Sequence, residues 1–194
     1  MGSICCAAMS ARERLIAELR EHALVVGKVT LASGAEAEYY VDAKRATLRP
    51  PGFVALGELV AAEARRLGAT AVGGLTMGAD PVACAALAGG ADVKAFFIRK
   101  EAKHHGLQRR VEGPFLDESD RCLVVEDVVT SGGSTIQAIE ALQAENRQIV
   151  GVVSVLDRLA GGGERIVAVA GGVPYTALAT IDDVYPDRPD RKAP

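Results

Sequence analysis

Leu123-Val124-Val125-Glu126-Asp127-Val128-Val129-Thr130-Ser131-Gly132-Gly133-Ser134-Thr135 is the stretch on which the reading of this chain turns. It begins as an apolar run of strand character, passes through two adjacent carboxylates and ends in small residues. Ile136, Ile139 and Leu142 then recur at helical spacing, so the turn opens a helix. A helix N-terminus presents unpaired N–H groups and the positive end of its dipole, which together bind anions. Glycines let the backbone wrap closely around a phosphate, and the hydroxyls of Thr130, Ser131 and Ser134 add donors. The two acids suit a different group, either sugar hydroxyls or Mg²⁺. A ligand carrying both a ribose and a 5′-phosphate satisfies the whole segment. The competing account is an ordinary strand-to-helix corner, but acids, hydroxyls and helix start in one register argue against it. Neither a Walker A loop nor a Gly-x-Gly-x-x-Gly turn is present here.

Outward from this stretch, strands and helices alternate. Thr70–Val72, Lys94–Ile98, Cys122–Val125 and Ile149–Leu156 read as strands. Pro81–Ala88 and Thr135–Glu145 read as the helices between them. Before them come a helix over Ala11–His22, with Ser10 and Glu13 forming a capping box, and a helix from Pro51 to Leu67 that stops at Gly68. Val29–Leu31 and Tyr39–Val41 read as short strands around Ser33-Gly34. The alternation predicts an α/β fold with a mainly parallel sheet flanked by helices. Ligands of such sheets bind beyond the carboxyl ends of the strands, where the acids and glycines fall. Gly161-Gly162-Gly163 reads as a flexible turn outside any strand-to-helix junction. Residues 1–9 read as a loose extension, 10–181 as one domain and 182–194 as an irregular tail.

At 194 residues with a net charge of −3, the chain suits one well-cored domain and lacks the basic balance of a general nucleic-acid binder. The apolar region from Leu67 to Gly90 is interrupted by glycines, Asp80 and Pro81, so it reads as a buried strand, a turn and a buried helix rather than a membrane span. Cys5, Cys6, Cys84 and Cys122 have neither zinc-type spacing nor a disulfide framework, which points to a reducing, cytoplasmic setting. Cys84 and Cys122, in apolar surroundings, are expected in the core.

Two further segments have anion-binding chemistry. Gly73-Gly74-Leu75-Thr76-Met77-Gly78-Ala79-Asp80-Pro81 is another strand, glycine turn and helix start, with Asp80 placed to cap and Pro81 at the first helical position. Arg99 to Arg110 holds five Lys/Arg against one Glu, a local +4 in an acidic protein. A lone charge run is usually a solvated face. This one leaves an apolar strand and continues without strand or helix patterning to about Asp120, a length typical of lids and binding loops.

The acid-rich strand and its Thr-Ser-Gly turn resemble the phosphoribosyl-pyrophosphate (PRPP) motif of type I phosphoribosyltransferases. The rest of the chain is similar to one family in particular, orotate phosphoribosyltransferase. Arg99-Lys100-Glu101-Ala102-Lys103-His104-His105-Gly106 resembles its mobile catalytic loop. Thr30-Leu31-Ala32-Ser33-Gly34 with Tyr39-Tyr40-Val41-Asp42-Ala43-Lys44 resembles its N-terminal hood, placed mainly within residues 10–50. Val155-Leu156-Asp157-Arg158 resembles the late strand whose arginine holds orotate.

The resemblance implies a type I phosphoribosyltransferase fold and transfer of ribose 5-phosphate from PRPP to N1 of orotate, with Mg²⁺, in pyrimidine biosynthesis. It implies that Lys103, Lys100, Arg99 and His105 act at the leaving pyrophosphate, Lys103 foremost. Glu126 and Asp127 are implied at the ribose, with Mg²⁺ arriving on PRPP beside them and no direct protein ligand assigned. Thr130, Ser131, Gly132, Gly133 and Ser134 are implied around the 5′-phosphate, and Arg158, Tyr40 and Thr130 around orotate. A homodimer that exchanges mobile loops is implied as well. Ala32 and Met77 stand where some members carry lysine, which either lowers PRPP affinity or moves the burden to Lys44 and Arg45. The rival readings are a phosphoribosyltransferase for another base and a non-catalytic PRPP sensor. The loop and Arg158 argue against the first; the want of a nucleic-acid-binding element argues against the second.

Overall fold

Ser10 caps the first helix as its spacing from Glu13 predicts: its hydroxyl accepts from the Glu13 N–H at 3.2 Å while the Glu13 carboxylate accepts from the Ser10 N–H at 2.8 Å. The computed structural model describes residues 9–30, 34, 36–101 and 110–191. Helix α1 (Ala11–Glu18) runs into a π-helical turn, Leu19–Ala23, that includes His22. Strands β1 (Leu24–Thr30) and β2 (Glu36–Val41) then pair antiparallel as a separate two-stranded sheet, the hood. Both are longer than their sequence signal, because Leu24-Val25-Val26 extends β1 across from Tyr39–Val41. A short helix α2 (Lys44–Thr47) follows, then α3 (Pro50–Leu67). Proline starts α3, and Gly68 ends it at φ 62°, the left-handed conformation that glycine adopts at low cost.

The main sheet contains β3 (Ala71–Leu75), β4 (Lys94–Ile98), β5 (Val111–Glu112), β6 (Arg121–Val129), β7 (Gln148–Asp157) and β8 (Tyr175–Thr180). Its order is β5-β4-β3-β6-β7-β8, parallel except for β4 against β5. Helices α4 (Asp80–Ala88), α5 (Gly133–Ala144), α6 (Gly162–Val169) and α7 (Ile181–Val184) complete the chain. The sheet builds outward from β3 to β4, then returns to place β6 on the other side of β3. The crevice at the carboxyl ends of β3 and β6 is therefore a topological switch point, where such sheets bind ligands.

Alternation along β6 feeds two apolar layers. Leu123 and Val125 pack with Leu56, Val60 and Val82 of α3 and α4 on one face. Cys122 and Val124 pack with Ile139, Leu142 and Ile166 of α5 and α6 on the other. Burial of each large aliphatic side chain contributes about 1.5–3 kcal/mol.

Several expectations need correction. The Gly161–Gly163 run does frame a strand-to-helix junction: Gly161 at φ 82° starts α6, and the glycines hid the helix. Strand β8 was missed because its Thr and Ala residues carry little apolar signal. A short strand, β5, interrupts the segment expected to be patternless. Asp80 is the first residue of α4 rather than its cap, and Ala79 holds the cap position. Cys84 is exposed, whereas Cys122 is buried; both thiols are free. The tail opens with a capped helical turn, α7, rather than irregular chain. Residues 1–8, Ala32 and Ser33 lie outside the described residues. Among the described residues no helix is long and apolar enough to cross a membrane.

Candidate active site

Strand β6 continues to Val129, beyond the expected end at Val125, because Val128 and Val129 are β-branched and pair with Leu156 and Asp157 of β7. Glu126 and Asp127 thus lie within the strand and point to opposite faces. Glu126 is 3% exposed. Its Oε1 accepts from the Asp127 N–H at 3.1 Å and its Oε2 from the Thr135 hydroxyl at 3.3 Å. Burial, reinforced by the neighbouring Asp127 charge, pushes the Glu126 carboxyl up to about 8. It therefore holds a proton more tightly than an exposed glutamate does. Asp127 Oδ1 accepts from the Val128 N–H at 2.8 Å, and Oδ2 accepts from Lys44 Nζ at 3.1 Å.

The turn after β6 brings Thr130, Ser131, Gly132, Gly133 and Ser134 together with Glu126 and Thr135 around a cavity of about 350 Å³. Gly132 has φ 78°, and a Cβ there would lie 3.0 Å from both the Gly162 carbonyl and Ile166 Cγ1. Any other residue would strain the turn and collide with α6. Among the described residues no side chain caps the start of α5, which leaves its first N–H groups open to an anion. Arg165 of α6 donates to the Ser131 carbonyl at 2.8 Å and braces the turn from outside, a contact with no local sequence signal.

The turn after β3 reaches the same crevice. Thr76 donates its hydroxyl to Asp80 at 2.6 Å, and a Cβ on Gly78 would fall 2.5 Å from Asp127 Oδ1. Only glycine allows that turn to pass so near the carboxylate. Thr76 and Met77 share a second cavity, of about 650 Å³, with Phe97, Arg99, Lys100 and Glu112. Arg99 and Arg110 tie the stem of the basic segment: the Arg99 N–H donates to the Arg110 carbonyl and Arg110 Nε to the Arg99 carbonyl, each at 2.9 Å. Lys103, His104 and His105 lie outside the described residues.

On the other side of β6, the Arg158 N–H donates to the Val129 carbonyl at 2.8 Å, so Arg158 leaves β7 beside the phosphate turn. Its guanidinium lies 4.9 Å from the centre of the Tyr39 ring, a cation–π contact. Its Nε is buried without a hydrogen-bond partner among the described residues. Tyr39, not the adjacent Tyr40, is the hood aromatic that touches Arg158; Tyr40 projects from the opposite face of β2 and is 39% exposed. Tyr39 is itself held edge-on by Tyr185 and donates to Asp190 at 3.0 Å. Arg158, Gly161, Asp182, Arg188 and Asp190 line a further cavity, so the tail borders the arginine. Below it, Asp157 accepts from the Leu159 N–H at 2.7 Å and from the Tyr175 hydroxyl at 2.7 Å, fixing the turn that presents Arg158. The family resemblance pointed to Arg158 and named Lys44; the Tyr39–Arg158 and Lys44–Asp127 contacts, Tyr175 and Arg165 become visible only through the fold.

Residues 62–170 match the family model described as a phosphoribosyl transferase domain. The orotate phosphoribosyltransferase of Streptomyces avermitilis is 49% identical over 177 residues, covering 89% of this chain and 96% of that protein. A crystal structure of Mycobacterium tuberculosis H37Rv orotate phosphoribosyltransferase in complex with Fe(III) dicitrate superposes with a TM-score of 0.81 at 41% identity, over 90% of this chain and 99% of the other. A second structure of that protein, in complex with PRPP, gives a TM-score of 0.76 at 36% identity, over 90% and 98% of the two chains.

Proposed function

The chain belongs to the orotate phosphoribosyltransferase family, and we propose how its residues divide the work of that reaction. The enzyme transfers ribose 5-phosphate from PRPP to N1 of orotate, giving orotidine 5′-monophosphate and pyrophosphate in pyrimidine biosynthesis. The observation that carries the assignment of roles is the convergence of β6, the turn after β3 and Arg158 on one crevice.

The 5′-phosphate is assigned to the turn Thr130–Ser134 and the free N-terminus of α5. Glu126 and Asp127 are assigned to the ribose hydroxyls. Burial favours the protonated form of Glu126, which can donate as well as accept. Arg158 is assigned to the orotate carboxylate, and its unpartnered Nε supports that role. Tyr39 orients the guanidinium and faces the base with Thr130, whereas Tyr40, on the opposite face of β2, is not assigned to it. As the C1′–O bond breaks, negative charge builds on pyrophosphate, and preorganised cations lower that barrier. Arg99 and Lys100, at the rim of the cleft shared with Thr76 and Met77, are assigned to that task together with Lys103 and His105.

Among the described residues no group of three or more His, Cys, Asp or Glu is gathered for a metal ion. That donor set fits Mg²⁺ held mainly by substrate oxygens and water, with Asp127 as the nearby carboxylate and Glu126 beside it. When bound, Mg²⁺ neutralises charge on the diphosphate. A cytoplasmic setting is supported by the two free thiols.

The reading is tested by following orotate absorbance with PRPP and Mg²⁺, with hypoxanthine, adenine and uracil run alongside. Mg²⁺-dependent loss of orotate alone is expected; turnover of another base instead would overturn the assignment of Arg158. We further assign a homodimer in which the basic loop serves the neighbouring site. Mixing Lys103→Ala with Asp127→Asn protein should then recover part of the activity, since one composite site regains both residues. No recovery in verified mixed dimers would refute loop exchange.

A further inference from the structure

Lys44 opens α2 at the base of the hood and reaches across to the sheet. Its Nζ lies 2.9 Å from Asp42 Oδ1 and 3.1 Å from Asp127 Oδ2. Among the described residues it is the one cation paired with Asp127. The turn that crosses against the same carboxylate, Thr76-Met77-Gly78-Ala79, contains no cationic side chain, and Met77 at its crest is 72% exposed. The amine nearest the junction of turn and carboxylate therefore comes from an element some thirty residues earlier in the chain. Burial opposes the ammonium charge, but hydrogen bonds and attraction from Asp42 and Asp127 outweigh it and raise its pKa.

We propose that Lys44 is a substrate-exchanged cation, pairing with Asp127 in the empty site and turning onto the diphosphate of PRPP when ribose hydroxyls take its place. The proposal rests on the assignment of Asp127 to the ribose. Sugar hydroxyls donate hydrogen bonds to Asp127, so they replace what the ammonium supplied there. The ammonium is released at the moment a polyanion arrives beside the turn after β3. Asp42 stays as its tether, keeping Lys44 charged and within reach. A lysine suits such an exchange, being a compact charge on a flexible stem with freely rotating donors.

Calorimetric titration of the wild type and of Lys44→Met with Mg²⁺-PRPP and with Mg²⁺-pyrophosphate, without orotate, tests the exchange. Loss of one charge-assisted contact to phosphate should weaken PRPP about tenfold or more and pyrophosphate much less, since pyrophosphate brings no ribose hydroxyls to release the ammonium from Asp127. The KM for orotate at saturating PRPP should stay within about twofold, since uniform loss of diphosphate binding falls on PRPP. Lys44→Arg should restore part of the affinity. Lys44→Gln, neutral and one bond shorter, removes the charge while keeping an amide donor, and should lose affinity like Lys44→Met. If Lys44 only blocked Asp127, both neutral variants would bind PRPP more tightly; if it only strapped the hood, the KM for orotate would rise together with that for PRPP. Either result overturns the proposal. A wild type that binds PRPP without turning over orotate would break the functional reading and leave this test standing.

Discussion

The two ends of strands β3 and β6 hold similar chemistry in opposite conditions. At the amino ends, Lys94, Asp120 and Arg121 have all found partners among the described residues. Lys94 Nζ is 2.7 Å from Asp120 Oδ2, the Thr70 hydroxyl donates to Asp120 Oδ1 at 2.9 Å, and the Asp117 N–H donates to Asp120 at 2.8 Å. Arg121 adds bonds to the Gly68 and Leu67 carbonyls at 2.8 and 2.9 Å. At the carboxyl ends, Glu126 is buried beside another acid, Asp127 relies on Lys44, and among the described residues the N-terminus of α5 has no side-chain cap and Arg158 Nε no partner. The amino ends use their polar groups for stability, whereas the carboxyl ends leave theirs open for the ligands proposed above. Active sites commonly trade stability in this way.

The two ends also titrate in opposite directions. Burial resists ionisation of Asp120, but the Lys94 ammonium, the Asp117 N–H and the Thr70 hydroxyl outweigh it and hold the carboxyl below its ordinary value. Such a group gives stability above its unfolded pKa and loses it as pH falls through the folded one. Glu126 is raised to about 8. The folded state then binds more protons than the unfolded state between about 4.5 and 8, so the Glu126 contribution falls as pH rises through that window.

The sharpest way to break the contrast is at the basic loop. Lys103→Ala should lower turnover about 100-fold or more with Tm unchanged, because its charge is assigned to the transition state; steady-state kinetics with thermal denaturation would show it, and unchanged turnover would remove Lys103 from the site. Arg158→Ala should raise the KM for orotate by about 10–100-fold, the loss of a charge-assisted pair, while leaving PRPP affinity nearly constant. Asp120→Ala should do the reverse, lowering Tm by several degrees while kcat and both KM values hold in the folded fraction. Glu126→Gln should flatten the decline of stability between about pH 4.5 and 8 in chemical denaturation series, whereas Asp120→Asn should flatten the loss on acidification. Exchanged signs would mean that the environments of the two carboxyls are misassigned. Ser10→Ala, remote from both ends, should cost about 0.5–2 kcal/mol through the lost cap and leave activity untouched.

How much of this was legible in the sequence depends on the range of the interaction. The acid pair, the hydroxyl-glycine turn and the start of α5 are neighbours in the chain, so the turn proposed for the 5′-phosphate could be read directly. So could the capping box at Ser10 and the stop at Gly68, which are local backbone requirements. Strand β6 was cut short at Val125 because carboxylates at 126 and 127 look like a strand end until pairing with β7 is known. Helix α6 hid behind three glycines whose conformational freedom suits a loop equally well. Tyr39 and Tyr40 have the same side chain, and only the pleat of β2 against the tail decides which meets Arg158. The Lys44–Asp127 pair spans 83 residues and leaves no local trace.

The most direct test is kcat/KM for orotate phosphoribosylation in Asp127→Asn against Asp120→Asn, measured where both proteins remain folded. A large loss confined to Asp127→Asn is the result expected of a carboxyl end reserved for ligand and an amino end used for anchoring. Equal losses, or a loss confined to Asp120→Asn, would contradict that division.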